Sequence, residues 1–327
     1  MNAMIDATRT TLTRGSRLGH YIIRRLLQQG GMSSVYLAYD EYTYTTVAIK
    51  VVQVQSGSLE ESDSLAQFRC ERRIMKSLRH DHILPLLAAG RQGSYAYLVM
   101  PYIQGGTLKD RLEQGPLTPD DAHTIFVQLA DALHYMHECG ILHRDVKPAN
   151  ILLDDNGSVY LADLGIASYI DESAIERNGR VMGTPIYMSP ELCYGHASIS
   201  SDIYALGILL YQMLTGQVPF EGTDSWGVCM RQIEELPEHP SHLNPAISYA
   251  IEQVILCALE KEVTARFATI ATFIDAYDRA CNISILGKAQ GLLNTLVASF
   301  TIHIQSVVTS RPVQAEEAYN TEAVLSW

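Results

Sequence analysis

The pattern of apolar and polar positions divides the chain into a strand-rich first part and a helix-rich second part. Between the last two strands predicted in the first part, apolar residues recur at helical spacing from Leu65 to Leu78, which predicts one helix against a small sheet. The strands are predicted where β-branched and aromatic residues cluster, at Tyr21–Leu27, Val35–Tyr39, Thr45–Val52 and Ala96–Met100.

Longer helices are predicted from residue 118 onwards. Thr118 and Pro119 precede two aspartates, and a hydroxyl cap, a proline in the first turn and early carboxylates all favour a helix start. The apolar face that follows ends at Gly140, a residue typical of helix ends. Ile203–Leu214 is apolar nearly all round, which predicts a buried central helix. Further helices are predicted at 247–259 and 270–280. The fold class is therefore α+β, with a β-rich lobe of about 20–101 and an α-helical lobe of about 102–280.

Composition excludes several classes of protein. The 327 residues are 47% hydrophobic and 18% charged with a mean hydropathy of +0.02, which excludes a disordered chain and a multi-span membrane protein. The net charge of −12 argues against nucleic acid as a partner. Six scattered cysteines without a C-x-x-C pair indicate neither a zinc ribbon nor a disulfide scaffold, and the short Cys193–His196 spacing has no second ligand pair. Met1–Gly19 lacks the apolar core of a secretory signal, so we expect a cytoplasmic protein.

The tail from residue 281 to 327 differs in character from the rest of the chain. Within it, Ala289–Ser310 carries no charge if His303 is neutral, and it is long enough to span a bilayer. Polar residues interrupt this stretch and no basic cluster flanks it, which favours a segment docked on the protein over a membrane span. A single-pass membrane protein is the alternative. The predicted division is thus an extension of 1–19, a main domain of 20–280 and this tail.

The residues that point to chemistry lie in two short segments. His143-Arg144-Asp145-Val146-Lys147-Pro148-Ala149-Asn150 is followed, thirteen residues after Asn150, by Asp163-Leu164-Gly165. A site for phosphoryl transfer needs carboxylate and amide oxygens for metal ions, an ammonium for the phosphoryl group and a carboxylate near the acceptor hydroxyl. Each residue alone would be read as a surface polar group. Together, beside short apolar strands, they indicate phosphoryl transfer.

This segment resembles the catalytic loop of Hanks-type serine/threonine protein kinases of the bacterial branch, and the resemblance covers about 20–280. It implies a two-lobed protein-kinase fold that uses ATP and Mg²⁺, with Mn²⁺ as a substitute, to phosphorylate serine and threonine residues of protein substrates. It further implies that Asp145 accepts the proton of the acceptor hydroxyl, that Lys147 screens the γ-phosphate, and that Asn150 and Asp163 hold magnesium. His143 would be a structural residue packed under the loop.

The same resemblance assigns the nucleotide site. Val47-Ala48-Ile49-Lys50 matches the strand whose lysine binds the α- and β-phosphates. A half-buried ammonium needs a counter-charge, and the family's partner falls at Glu71, with Glu60, Glu61 and Asp63 as nearby alternatives. Met100 would be the gatekeeper, the Pro101 carbonyl and the Ile103 N–H would bond to adenine, and the remaining apolar positions of the pocket would be Leu27, Val35, Ala48 and Leu152.

The glycine-rich loop departs from the family pattern G-x-G-x-x-G-x-V. Here the segment reads Gln28-Gln29-Gly30-Gly31-Met32-Ser33-Ser34-Val35, so that Gln28 and Ser33 replace the first and third glycines. Gly30 keeps the middle position, where backbone N–H groups approach phosphate most closely, so we expect a loop that still binds nucleotide. Gln28 would cost about 1 kcal/mol if it needed a glycine-like conformation, which predicts a modest ATP affinity.

The stretch Gly183-Thr184-Pro185-Ile186-Tyr187-Met188-Ser189-Pro190-Glu191 resembles the end of the family's activation segment. By resemblance, Thr184 bonds near Asp145 and Lys147, Glu191 forms a buried salt bridge with Arg266, and Asp202 braces the backbone of the catalytic loop. We predict autophosphorylation at Ser173, with self-association to achieve it. Alternatively, Asp171 and Glu172 stand in for the phosphate.

Two other functions are considered beside an active signalling kinase. A pseudokinase scaffold that binds nucleotide without transfer finds support only in Gln28. A small-molecule kinase of the aminoglycoside type shares the fold but is disfavoured by the complete activation segment. A P-loop ATPase is excluded because the chain lacks G-x-x-x-x-G-K-[ST].

Overall fold

The computed structural model describes residues 12–30, 33–54, 59–170 and 183–282, apart from the side chains of 59–63. Ser173, Gly31 and the tail stretch Ala289–Ser310, on which predictions were made above, lie outside these ranges. The chain divides after Ala280. No helix within the described ranges has the length and apolarity that a bilayer crossing requires.

The N-terminal lobe contains a six-stranded antiparallel sheet with the order β1-β2-β3-β4-β6-β5. The four predicted strands and the predicted helix are confirmed. Two strands were not predicted, because β1 has only two residues and the Ala-Ala-Gly-Arg-Gln sequence of β5 has no apolar alternation. The elements are β1 (Arg17–Leu18), β2 (Tyr21–Gln29), β3 (Ser33–Asp40), β4 (Thr45–Gln53), α1 (Leu59–Ser77), β5 (Ala88–Gln92) and β6 (Tyr95–Pro101).

The two faces of this sheet have different roles because side chains alternate along each strand. On one face, the cross-strand pair Tyr36 and Ile49 belongs to a closed apolar core. On the other face, Val35 lies opposite Lys50, and Ala48 lies opposite Met100. The Lys50 ammonium reaches the second lobe, so this second face borders the cleft between the lobes.

The C-terminal lobe is built around α5, which is buried at nearly every position and packs against α3 and α8. The predicted central helix is therefore confirmed, and it begins earlier than predicted because its first turn, Ile199-Ser200-Ser201-Asp202, is largely polar. Thr118 caps α3 as expected, its hydroxyl accepting from the Asp121 N–H at 3.1 Å. The helices are α2 (Leu108–Leu112), α3 (Pro119–Glu138), α4 (Pro190–Cys193), α5 (Ile199–Thr215), α6 (Ser225–Glu234), α7 (Pro240–Leu243), α8 (Tyr249–Ala258) and a further helix at 270–282.

Two small antiparallel ladders lie where the lobes meet. The strand β7 (Ile141–Leu142) pairs with β10 (Ser168–Tyr169), and β8 (Ile151–Leu153) pairs with β9 (Val159–Leu161). The loops 143–150 and 162–167 connect these strands. Both chemistry-bearing segments of the sequence therefore sit on short loops between paired strands, next to the face that carries Lys50.

Candidate active site

The backbone of the 143–150 loop is held by a buried carboxylate. Asp202 is 1% exposed, and its two oxygens accept from the N–H groups of His143 and Arg144 at 2.9 and 2.8 Å. Burial opposes ionisation of Asp202, but the His137 ring at 2.8 Å and the backbone N–H of His143 lower its pKa. His143 itself is fully buried, and its ring contacts the Ala162 carbonyl oxygen at 3.3 Å. The loop conformation is thus set by groups that are closed to solvent.

Four polar side chains converge on this loop. The Asp145 carboxylate accepts from the Thr184 hydroxyl at 2.9 Å and lies 2.6 Å from the Lys147 ammonium. That ammonium also donates to the Thr184 hydroxyl at 2.7 Å. The Asn150 amide nitrogen donates to the backbone oxygen and the carboxylate of Asp145 at 2.9 and 3.0 Å. The structure therefore brings together residues that are up to 39 positions apart in the chain.

A second cluster joins the two lobes through Lys50. Its ammonium lies 2.6 Å from Glu71 on α1 and 2.6 Å from Asp163. Burial by itself would lower the pKa of Lys50, but the two carboxylates outweigh burial and raise it. Burial likewise opposes ionisation of Asp163, yet Lys50 lowers the pKa of this carboxyl. In this cluster Glu71 is the carboxylate of α1 that pairs with Lys50, as the resemblance implied, and Asp163 is the carboxylate from the second lobe.

The oxygen atoms near this cluster fit a divalent cation. The amide nitrogen of Asn150 donates to Asp145, so the amide oxygen of Asn150 is the atom that can bind a metal ion. Its backbone oxygen accepts from the N–H of Ala162 at 2.8 Å, which places Asn150 beside Asp163. The Asp163 side chain is 45% exposed in the cleft between the lobes and has a left-handed backbone (φ 59°). A carboxylate and an amide oxygen are hard donors of the kind that Mg²⁺ and Ca²⁺ prefer.

The glycine-rich loop differs from expectation at one point. Gln28 pairs with Val35 inside the β2–β3 ladder and does not belong to the described non-glycine residues with positive φ. A glycine-like conformation is therefore not required there, and the expected loss of about 1 kcal/mol does not arise. Gly30 donates its N–H to the Ser33 carbonyl oxygen at 2.8 Å.

The residues assigned to adenine lie on several elements. Val35, Ala48 and Met100 share the cleft face of the sheet, and Pro101 ends β6 with Ile103 two residues beyond. Leu27 sits at a register shift of β2. Leu152, on β8, forms an isolated bridge with Thr107. These apolar side chains are partly to fully buried.

The segment after Thr184 is fixed by a buried ion pair. Arg266 donates to the two carboxylate oxygens of Glu191 at 2.9 and 2.8 Å, and its guanidinium is fully buried. Burial opposes ionisation of Glu191, but the bonds from Arg266 lower the pKa of its carboxyl. The contact expected between these residues is present. It ties the end of the segment to the loop that precedes the helix at 270–282.

Sequence reasoning missed three polar residues that support the site. Gln67 on α1 donates to the Gly165 carbonyl oxygen at 2.7 Å, and Gln232 on α6 donates to that of Ile186 at 2.7 Å. His137 contacts Asp202, as described above. Gln232 had a detectable signal, because it lies four residues after the buried Val228 and so falls on the buried face of its helix. No pattern in the sequence pointed to Gln67 or His137.

The β-rich lobe places a lysine, paired with a glutamate, at the cleft. The helical lobe faces it with a second aspartate and with a loop that carries an aspartate, a lysine and an asparagine. This combination defines a protein kinase. The comparisons agree. The chain matches the model of the protein kinase domain over residues 21–277. It belongs to the protein kinase family and, by its relatives, to the bacterial Hanks-type serine/threonine branch, which confirms the predicted family and fold class. Membership implies the use of ATP together with a divalent metal ion.

Three bacterial proteins illustrate the similarity. The chain is 35% identical over 258 residues to the serine/threonine-protein kinase PrkC of Bacillus subtilis, covering 78% of this chain and 40% of that protein. It is 34% identical over 278 residues to the probable serine/threonine-protein kinase PknB of Lactococcus lactis, with coverages of 84% and 44%. It is 31% identical over 268 residues to the serine/threonine-protein kinase PknL of Mycobacterium tuberculosis, with coverages of 81% and 67%. The chain thus spans about two fifths of the length of the first two relatives.

Proposed function

We propose that this chain is an active serine/threonine protein kinase, which transfers the γ-phosphoryl group of ATP to serine and threonine hydroxyls of proteins. The observation that carries the proposal is the contact set of Asp145, Lys147 and Thr184, with distances of 2.6 to 2.9 Å. It combines a carboxylate that can accept a proton, an ammonium for a phosphoryl group and a hydroxyl from the segment expected to receive the substrate.

Each residue of the loop has a defined part in this reaction. The acceptor oxygen forms a bond to the γ-phosphorus, the bond from that phosphorus to the β–γ bridging oxygen breaks, and ADP leaves. The proton of the acceptor hydroxyl passes to the Asp145 carboxylate. Lys147 faces the transferring group and offsets its charge. The Thr184 hydroxyl and the Asn150 amide keep the Asp145 carboxylate in one orientation.

The residues proposed to bind ATP and the metal ion are assigned from the donor atoms and apolar side chains that they present in the cleft. Asn150 and Asp163 would hold the divalent cation, and we propose Mg²⁺ because both donors are hard oxygens, with Mn²⁺ also suited. When bound, the cation neutralises phosphate charge. Lys50, fixed by Glu71, would bind the α- and β-phosphates. Adenine would lie against the apolar cleft positions Leu27, Val35, Ala48, Met100 and Leu152, with hydrogen bonds to the Pro101 carbonyl and the Ile103 N–H.

The wider role belongs to the same proposal. Residues 20–280 would form the catalytic domain, with 1–19 and 281–327 as extensions. The protein would act in cytoplasmic signalling and would autophosphorylate at Ser173 when two copies meet, whereas membrane contact by the tail is not favoured. Mapping of phosphorylated peptides after incubation with ATP tests the Ser173 assignment, which fails if only other sites are modified.

The decisive experiment measures transfer of labelled phosphate from ATP to a basic acceptor protein. Asp145→Asn should lower the rate by about 10²–10⁴, while the matched variant Asp275→Asn, at an exposed position of the last helix, should leave it unchanged. ATP-induced thermal stabilisation shows that the cleft of each variant is filled. A wild-type protein that binds ATP without transferring phosphate would be a nucleotide-binding scaffold. Transfer only to small-molecule alcohols would indicate the aminoglycoside-kinase type.

A further inference from the structure

One side of α1 carries a row of positively charged residues. The row, here called the basic stripe, is spaced at i, i+3, i+4 and i+7, which places its members on the same side of a helix. It consists of four exposed residues, Arg69, Arg72, Arg73 and Lys76. The buried residues of α1, among them Phe68, Glu71, Ile74 and Met75, lie on the opposite side. The basic stripe therefore faces away from Lys50 and the cleft.

The basic stripe lines an open depression in the surface of the N-terminal lobe. The depression has a volume of about 410 Å³, and Ser77 is its remaining lining residue. This volume lies within the range of about 300–1,000 Å³ that is common for ligand sites in proteins. The Ser77 hydroxyl already donates to the Ile74 carbonyl oxygen at 2.8 Å. The charged groups of the stripe are therefore the donors that the depression offers to a ligand.

The charge of the basic stripe is not neutralised by neighbouring carboxylates. Elsewhere on the surface, the exposed cations Arg17, Lys109 and Arg231 each have a glutamate partner, at 2.6, 3.8 and 3.8 Å. In the part of the chain that the structure describes, no carboxylate pairs with the basic stripe and no acceptor takes a hydrogen bond from it. Like charges three or four positions apart on a helix repel each other. An anion that contacts several of these cations would replace the repulsion by attraction.

The chemistry of the basic stripe favours a phosphorylated protein over a membrane or a nucleic acid. Three of its four residues are arginines, whose planar guanidinium binds phosphate through two parallel hydrogen bonds. A helix that lies on a membrane presents an apolar face beside its cations, but the described large apolar side chains of α1 are buried in the lobe. A long nucleic acid would be repelled by the net charge of −12. A short anionic segment can contact the stripe alone.

The spacing of the cations matches that of side chains in an extended peptide. The stripe consists of two pairs, Arg69 with Arg72 and Arg73 with Lys76, which are offset by four residues in the sequence. This offset is about 6 Å along a helix axis. In an extended peptide, side chains two positions apart point to the same side and lie about 6.7 Å apart. Two phosphoryl groups at that spacing would each meet one pair of cations.

We propose that the basic stripe is a docking site for an extended segment of another protein molecule that carries two phosphorylated serine or threonine side chains two positions apart. One phosphoryl group lies between Arg69 and Arg72, and the other lies between Arg73 and Lys76. Both are held by charge-assisted hydrogen bonds. The stripe lies on the side of α1 opposite Glu71, so the docked segment leaves the cleft open to nucleotide.

The test titrates the full chain into a fluorescein-labelled, alanine-based peptide with two phosphoserines two positions apart and measures fluorescence anisotropy. This peptide should bind at least about tenfold more tightly than the same peptide with serines, and added salt should weaken its binding. Arg72→Gln/Arg73→Gln should lower the affinity by about tenfold or more, and glutamine retains a high helix propensity. The matched control Arg25→Gln/Arg91→Gln, at exposed positions of β2 and β5, should bind like the wild type.

Equal affinities for the phosphorylated and unphosphorylated peptides would overturn the proposal, as would wild-type affinity in Arg72→Gln/Arg73→Gln. If thermal melts show that this variant is destabilised, Arg69→Gln/Lys76→Gln provides the same test. Sedimentation with phosphatidylserine vesicles that depends on the stripe, without binding of the phosphopeptide, would assign the stripe to a membrane surface instead. Anisotropy measures binding alone, so a protein that transfers no phosphate but binds the phosphopeptide would disprove the proposed function and leave the docking site standing. The reverse result would do the opposite.

Discussion

The ion pair between Glu191 and Arg266 allows a quantitative test of how the C-terminal lobe is held together. The guanidinium is fully buried, and the Glu191 carboxylate, 15% exposed, accepts from it with both oxygens at 2.9 and 2.8 Å. Glu191→Gln keeps the shape of the side chain but replaces one acceptor by an NH₂ group. A guanidinium has only donors, so the variant leaves one bond unmade and the buried charge without a counter-charge.

The expected loss of stability follows from these contacts. Removing one partner of a buried ion pair costs about 3–5 kcal/mol. Arg266 keeps three bonds to the backbone oxygens of Glu260, Lys261 and Ser200, and glutamine retains one acceptor, so the lower end, about 3 kcal/mol, is expected. At about 2–4 °C per kcal/mol for a domain of this size, Tm should fall by about 6–12 °C.

The measurement is urea unfolding followed by far-UV circular dichroism, with thermal melts alongside. Glu113→Gln is the matched control, because Glu113 and its partner Lys109 are 65% and 63% exposed at 3.8 Å, and such surface pairs contribute little. The double variant Glu191→Gln/Arg266→Met should recover part of the loss, since the unpaired charge is gone. A loss below about 1 kcal/mol, or a double variant no more stable than Glu191→Gln, would refute the reasoning.

The same carboxylate predicts an acid dependence. Its pKa is lowered in the folded protein, despite burial, by Arg266, so the unfolded chain takes up the proton first as pH falls. The stability that Glu191 contributes is present above its unfolded pKa of about 4.3 and is lost as pH falls through the folded value. Between pH 6 and the acid limit of folding, the Glu191→Gln variant should therefore lose less stability than the wild type in urea titrations, and parallel curves would contradict this assignment.

Three further variants test the site. Asp202→Asn should lower both the urea midpoint and the phosphorylation rate, because its carboxylate accepts from two backbone N–H groups and contacts His137; unchanged unfolding would argue against a bracing role. Thr184→Val should reduce kcat while Thr184→Ser restores it, as measured by steady-state kinetics, and equal rates would show that the hydroxyl is dispensable. A Cβ at Gly165 would lie 3.1 Å from both the Asp163 carboxylate and the Lys50 ammonium, so Gly165→Ala should raise the KM for ATP, and an unaltered KM would contradict that close approach.

The elements that could be predicted from sequence are those that rest on local patterns. The strands Val35–Tyr39 and Thr45–Val52 and the central helix have apolar runs whose period or continuity is visible within a few residues. The residues of the 143–150 loop were recognisable because their chemistry requires particular groups at fixed spacing within one short segment. Both kinds of signal can be recognised in the sequence without knowledge of tertiary contacts.

The features that escaped prediction depend on residues far apart in the chain. Gln67 and Gly165 are separated by 98 positions, and Gln232 and Ile186 by 46, so no local pattern reports their bonds. Gln28 is a case in which the sequence motif was misleading. The motif has a glycine at this position, which suggested that glutamine would be strained there. In the structure Gln28 pairs with Val35 in extended backbone, which glutamine adopts readily. Whether replacing the motif glycine by glutamine lowers stability therefore depends on the backbone conformation at that position.

The charged groups around the cleft separate into two kinds by exposure. Asp202 and Arg266 are buried, and each is held by several hydrogen bonds, so removing a partner leaves a buried charge uncompensated. Asp163, in contrast, is 45% exposed and shares one ammonium with Glu71, so it can change partner while the fold stays intact. It follows that variants of the first kind should act on stability before rate, whereas Asp163→Asn should act on rate before stability.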